Sequence, residues 1–252
     1  MRPLLASSAL LAAALLLACN ESPTAEGASP APTPPLASME SARSVVFAPD
    51  ARPYGSSMVQ WSERWWQWVL GVPASHNPML DPTGADCGAG QRGEVWYIAD
   101  LSTGSGTRSC RAPEGHSFLI NLSGVLNDFP CPDTTFHPAP GQSLSDFLTE
   151  GARQIVDGVD SLSLTVDGTN VPNLFSYRYT SPLFYYRGSA TLQTLIDPCI
   201  TGRLQPAVSD GYFIMVKPLD RGQHSLTFTA ADVQGVHTAV TWSLTIVRSD
   251  GR

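Results

Sequence analysis

Three segments near the end of the chain, GYFIMVKP (211–218), HSLTFTA (224–230) and AVTWSLTIV (239–247), leave little choice of fold. In the last, Val240, Trp242, Leu244 and Ile246 alternate with Thr241, Ser243 and Thr245, the period of two that buries one face of a strand and wets the other. GYFIMV is apolar on both faces, as a strand in a sheet interior must be. Upstream, SLSLTV (161–166) alternates and turns at Asp167-Gly168, while LFSYRY (174–179) and LFYYRG (183–188) flank a break at Ser181-Pro182. Shorter strands are predicted from Glu94 to Ala99, Thr107 to Arg111 and Ser117 to Leu122. Strands recurring at about ten-residue spacing between Gly and Pro turns predict a mainly β chain, a jelly-roll-like or immunoglobulin-like β-sandwich with two peripheral helices at one end.

The first helix carries four tryptophans. Ser57 followed by Gln60 reads as a capping box, and Gly71-Val72-Pro73 as a stop. At about 100° per residue Trp61, Trp65 and Trp68 share a stripe with Met58 and Val69, opposite Gln60, Glu63, Arg64 and Gln67. Trp66 lies on the flank and is expected to be partly exposed. In the second helix Ser143 caps, Asp146 follows at the third position, and Leu144, Phe147, Leu148, Ala152 and Ile155 repeat at helical spacing before Gly158. Between helix and strands, residues 74–93 form a long loop of Pro, Gly, Asn and Asp. A loop of that length is either functional or pinned, and Cys87 argues for pinned.

The beginning of the chain predicts where it resides. Arg2 precedes an apolar run from Leu4 to Leu17, too short and too early for a spanning helix and suited to an export signal. Leu16-Leu17-Ala18-Cys19 resembles a bacterial lipobox, so residues 1–18 would be removed and Cys19 would carry the lipid. Several acyl tails at roughly 0.8 kcal/mol per buried methylene make such an anchor effectively permanent. Residues 19–40, rich in Pro, Ala, Ser and Thr, would be a disordered tether reaching up to about 60 Å at 3.1 Å per residue. The expected place is the cell envelope, the outer membrane in preference to the inner. That leaves residues 41–252 as one β-sandwich domain.

The whole chain carries 15 Lys+Arg against 22 Asp+Glu. Removing Arg2 with the signal makes the mature chain still more acidic, and without a basic cluster a nucleic-acid partner is not expected. Besides Cys19 there are Cys87, Cys110, Cys131 and Cys199, an even number for an exported chain. Of the three pairings Cys87–Cys110 with Cys131–Cys199 is preferred, since the first pair brackets EVWYIAD as a local staple. None has C-x-x-C spacing, so no thiolate metal centre is expected.

Several phrases together, YGSSMVQWSERWWQWVLGVPASHNP, CGAGQRGEVWYIA, TRSCRAPEGHSF, VDGTNVPNLFSYRYTSPLF and DGYFIMVKPLDRGQHSLTF, resemble a family of uncharacterised secreted bacterial proteins and lipoproteins. The resemblance spans most of residues 54–230. It supports the domain boundary and brings neither reaction nor ligand with it.

No nucleophile elbow, H-E-x-x-H, P-loop or EF-hand series occurs, and His76, His116, His137, His224 and His237 are scattered. Neither metal nor cofactor is predicted. Asp81, Asp86 and Asp100 lie in or beside the long loop, where carboxylates and carbonyls suit calcium. Asp157, Asp160 and Asp167 read as cap and turn formers. The ligand-binding candidates are Trp66, Arg178, Tyr185 and Tyr186, since one tyrosine of the adjacent pair must face outward and stacking with hydrogen bonding suits a glycan or an envelope protein. The leading expectation is a lipid-anchored envelope binding or interaction module. The alternative is an exported hydrolase of glycans or another polymer, with Asp100 and His116 as catalytic candidates. A cleft with paired carboxylates would favour the enzyme. Replacing Cys19 by Ser should abolish incorporation of labelled palmitate and move the protein from the membrane to the soluble fraction; a variant that stays labelled would exclude Cys19 as the lipid site.

Overall fold

The computed structural model describes residues 45–249 apart from 103, 234 and 236, and only the backbone of His237. The expected signal (residues 1–18), Cys19 and the expected tether (19–40) lie outside the described residues. Helix α1 (Met58–Gly71) begins with the expected capping box: the Gln60 amide N–H donates to Ser57 Oγ at 3.3 Å and the Ser57 N–H to Gln60 Oε1 at 3.0 Å. Then come β1 (Val95–Ile98), β2 (Ser105–Pro113) and β3 (Ser117–Asp128). Helix α2 (Leu144–Val156) is capped by Ser143, whose hydroxyl accepts from the Asp146 N–H at 3.1 Å. It is followed by β4 (Val159–Val166), β5 (Thr169–Asn170), β6 (Arg178–Thr180), β7 (Phe184–Arg187), β8 (Leu204–Val216), β9 (Gly222–Asp232) and β10 (His237–Val247).

The fold is a β-sandwich with two peripheral helices. In the first sheet β3 pairs with β1 on one side and β8 on the other, and β6 and β7 share the far edge of β8. The second sheet runs β2-β10-β9-β4-β5. Both are mixed, because β1 runs parallel to β3 and β2 parallel to β10. The sandwich interior takes Ile98, Phe118, Ile120, Leu122 and Ile214 from the first sheet and Leu226, Phe228, Val240, Trp242 and Leu244 from the second. The other face of the first sheet, with Leu119, Phe213 and Met215, packs against α1. As GYFIMV foretold, β8 is buried on both faces.

The two helices lie on opposite faces of the first sheet. Helix α1 packs on the face carrying Ala207 and Phe213, while Leu148 and Ala152 of α2 pack on Val208, the neighbour that points the other way. One difference from the sequence reading concerns LFSYRY. Asn173 adopts a left-handed backbone (φ 57°), and Leu174–Tyr177 continues as a 3-10 turn, so the strand starts only at Arg178. The turn breaks the predicted alternation and leaves Phe175 50% exposed while Tyr177 is buried.

Strand β3 runs past its predicted end at Leu122 and contains a bulge between Asn121 and Ser123. Before it, even-numbered residues face the sandwich interior; after it, Gly124, Leu126 and Asp128 face α1. One extra residue reverses the parity of everything downstream. Gly124 lies opposite Gly211, and a Cβ on Gly211 would come 2.5 Å from the Gly124 Cα, so no larger residue fits this crossing.

The loop before β1 is pinned, as predicted, by Cys87–Cys110, and Cys131–Cys199 forms the second disulfide. At Gly84 (φ +88°) the loop passes so close to β2 that a Cβ would meet Ser109 O at 2.3 Å. Arg108, fully buried, lays its guanidinium 4.2 Å over the Trp242 ring and donates to the carbonyls of Ala99 (2.9 Å), Asp100 (3.2 Å) and Pro78. Substituting Arg108 by Leu strips the Asp100 and Pro78 carbonyls of that donor and leaves Ala99 O with the Trp242 N–H alone, and at 1–3 kcal/mol for each unsatisfied group it should cost about 2 kcal/mol or more. A urea midpoint unchanged from the parent would show that Arg108 does not hold the loop.

Candidate functional site

The bulge in β3, the edge strand β7 and one flank of α1 enclose a cavity of about 180 Å³. Its walls include Leu70, Met79, Leu126, Ile196 and Ile200, with Trp66, Tyr186, Asp128 and Asp197 among them. Apolar walls with a few convergent polar groups are the usual make-up of a small-ligand site.

Asp128, the last residue of β3, is only 4% exposed. Its Oδ2 accepts from the Tyr186 hydroxyl and, at 2.8 Å, from Gln205 Nε2. Gln205 is held in turn by donating to the Cys199 carbonyl (2.9 Å) and accepting from the Thr201 amide (2.9 Å) and hydroxyl (2.6 Å). Asp197 Oδ1 accepts from the Cys199 N–H at 2.8 Å, and carboxylate oxygens of Asp197 and Asp128 come within 4.8 Å of each other. The Cys199 sulfur beside them is bonded to Cys131 and offers no thiolate, so a cation here would have the two carboxylates as its acidic ligands.

Burial pushes the Asp128 carboxyl up to about 6; the Tyr186 hydrogen bond opposes that rise and the Asp197 charge adds to it. Burial and the adjoining Asp128 hold the Tyr186 phenol well above its ordinary range. One acid that keeps its proton into the mildly acidic range beside a second carboxylate can donate a hydrogen bond as well as accept one, the division of labour that acid–base chemistry also uses.

Of the four residues proposed from sequence for binding, Trp66 and Tyr186 meet in the cavity wall, while Arg178 and Tyr185 do not line it. Trp66 is not partly exposed: it is 7% exposed, packed edge-on to Trp65 at 4.9 Å, and its indole N–H donates to Ser209 Oγ at 2.8 Å. The broad first sheet covers the helix flank as well as its central stripe. Tyr186 turns inward to Asp128, and Tyr185, 54% exposed, points away, as two adjacent strand residues must. Arg178 stands apart from the cavity. Its NH1 meets Asp157 Oδ1 at 2.6 Å and its NH2 meets buried Asp210 Oδ2 at 2.6 Å, tying the end of α2 to β6 and β8. Those bonds, above all to Asp210, hold its pKa high.

Asp100 and His116 do not form a catalytic pair. The parallel register sets Val95 beside Ser117, so His116 lies level with Glu94 before β1 while Asp100 follows its end, roughly 20 Å along the strand at 3.3 Å per residue. Asp100 has one buried oxygen without a hydrogen-bond partner among the described residues, and burial pushes its carboxyl up to about 6. His116 packs edge-on to Trp96 at 5.9 Å. Of the loop acids, Asp81 accepts from Thr83 and the Asp86 N–H, and Asp86 pairs with His76 at 3.0 Å, so both brace the loop.

Asp128, Asp197 and Gln205 escaped the sequence reading. Asp128 lies past the predicted end of a strand and Asp197 precedes a proline, which makes both look like turn formers.

No family model matches the chain, and no curated protein does. Among solved structures, one described as "Structure of PbICP-C in complex with falcipain-2" is similar over 62% of this chain and 100% of that chain, at 9% identity and a TM-score of 0.24. A likeness that weak carries no argument about fold or function.

An unfolded aspartate loses its proton near pH 4, whereas Asp128 and Asp100 keep theirs to about 6, so the folded state binds more protons between these values. Stability should therefore fall as pH rises from about 4 to 6 and stay lower above that window. Asp128→Asn should remove roughly half of this slope and stabilise the protein at pH 7 by up to about 3 kcal/mol. An unaltered slope in unfolding curves across the window would refute the raised Asp128 pKa.

Proposed function

We propose that the chain is an exported, lipid-anchored envelope binding module whose acidic, aromatic-walled cavity takes a small ligand presenting hydrogen-bond donors, an amine or a hydroxylated headgroup. The supporting observation is the meeting of Asp128 and Asp197 with Trp66 and Tyr186 in an otherwise apolar cavity of about 180 Å³. Two carboxylates accept from an amine or hydroxyls, and the apolar walls bury the rest of the ligand. That volume suits one headgroup or sugar-sized unit rather than a polymer chain. The two disulfides fit an oxidising compartment, and no helix among the described residues is long and apolar enough to cross a membrane. Attachment through Cys19 and residence in the outer membrane rest on the lipobox-like sequence.

The carboxylate pair also favours the second reading, an exported hydrolase. Retaining glycosidases place their two carboxyl groups about 5 Å apart with one held protonated, and the Asp128–Asp197 pair falls near that range. A thermal-denaturation screen with ethanolamine, putrescine and glycerol, run beside a reducing-sugar assay on envelope glycans, separates the two. Binding predicts a ligand-dependent rise in Tm that Asp197→Asn removes, with no turnover. Sugar release abolished by both Asp197→Asn and Asp128→Asn would replace the binding reading with the enzymatic one.

A further inference from the structure

The opposite flank of α1 borders a different concavity. Arg64, Trp68 and Gly71, one stripe of the helix, join Gln67, Arg92 and Tyr97 around a groove of about 450 Å³. No carboxylate lines it, and neither arginine forms an ion pair among the described residues. In a chain with 22 acidic residues against 15 basic ones, two arginines outside any ion pair at a groove that no carboxylate lines are a local reversal of charge, with Glu63 close enough to interact with the Arg64 charge but not part of the lining. Arg64 is carried by stacking, its guanidinium carbon 4.5 Å from the Trp61 ring centre. Trp68 and Tyr97 stack at 5.2 Å with planes 22° apart, and the Trp68 N–H is fixed on the Ala89 carbonyl at 2.9 Å. Burial raises the Tyr97 phenol pKa, and Arg64 lies close enough to oppose that rise.

We infer that this groove binds an anionic saccharide, its carboxylate or phosphate ester held by the Arg64 and Arg92 guanidiniums and its ring set against the edges of the Trp68–Tyr97 stack. Guanidinium forks match the paired oxygens of both anions, and a concavity concentrates their field. Aromatic edges and the Tyr97 hydroxyl suit the mixed CH and OH surface of a sugar. This groove shares no lining residue with the acidic cavity, and the inference stands whether or not that cavity binds anything.

Calorimetric titration of the full chain in detergent at low salt with glucuronate, glucose 6-phosphate and glucose tests it. At least one acid should bind about tenfold or more tightly than glucose, the equivalent of one charge-assisted contact. Binding of glucuronate alone identifies the planar carboxylate as the recognised group, and binding of the ester alone identifies the phosphate. Arg64→Gln and Arg92→Gln should each weaken the bound acid about tenfold, and added salt should weaken the parent complex more than either variant's. Near-ultraviolet circular dichroism unchanged from the parent confirms that both variants fold. Equal affinity for glucose, no binding of either acid at millimolar concentration, or full affinity in both folded variants would overturn the inference.

Discussion

The far end of β1 is where the layers of this protein are joined, and the joint is made of backbone carbonyls. Ile98 O accepts the Trp65 indole N–H at 3.0 Å, Ala99 O accepts Trp242 at 3.2 Å and Arg108 at 2.9 Å, and Asp100 O accepts Arg108 at 3.2 Å. The donors come from α1, β10 and β2, so one strand end is held by the helix layer and by the opposite sheet. Buried carbonyls must find donors or cost about 1–3 kcal/mol each, and large indoles supply donors while excluding water. The same guanidinium reaches the Pro78 carbonyl, and Cys87–Cys110 closes the loop onto the same strand. Burial lowers the Arg108 pKa to about 10, with Asp81 and Asp100 opposing the fall, so the guanidinium keeps its charge at neutral pH.

Given that joint, the first sheet is buried on both faces and any irregularity in it reaches two environments. The β3 bulge is such a place. It sends Asp128 toward α1, and the bare Gly124–Gly211 crossing beneath leaves a cavity rather than a packed layer. Trp66 and Tyr186 then become walls because their polar ends are already engaged by Ser209 and Asp128. The cavity is thus a by-product of register, with its acid held by a fixed network instead of a mobile loop.

Helix α1 divides the chemistry around it. Its central stripe is core, the Trp66 flank meets two carboxylates, and the Arg64–Trp68 flank meets a second arginine. A helix presents such opposed flanks at about 100° per residue, and the segregation needs nothing beyond the order of residues in one short segment.

Much of the architecture was legible in the sequence. Period-two alternation marked the outward-facing strands, unbroken apolarity marked β8, and Ser57 with Gln60 and Ser143 with Asp146 marked both helix starts, because these signals act within a few residues. Even the disulfide pairing followed from the cysteine bracketing of β1. The site was not legible. Trp66 was misjudged because a helical wheel cannot know how wide a sheet will cover it, and LFSYRY was misread because the left-handed turn at Asn173 is a matter of backbone, not of hydrophobic pattern. Asp128 and Asp197 lie 69 positions apart and meet only through a bulge and a strand crossing. Local order along the chain determined the strands, helices and caps of this protein; the convergence of two acids and two rings was decided by tertiary packing, since burial and proximity are properties of the assembled layers and of no single segment.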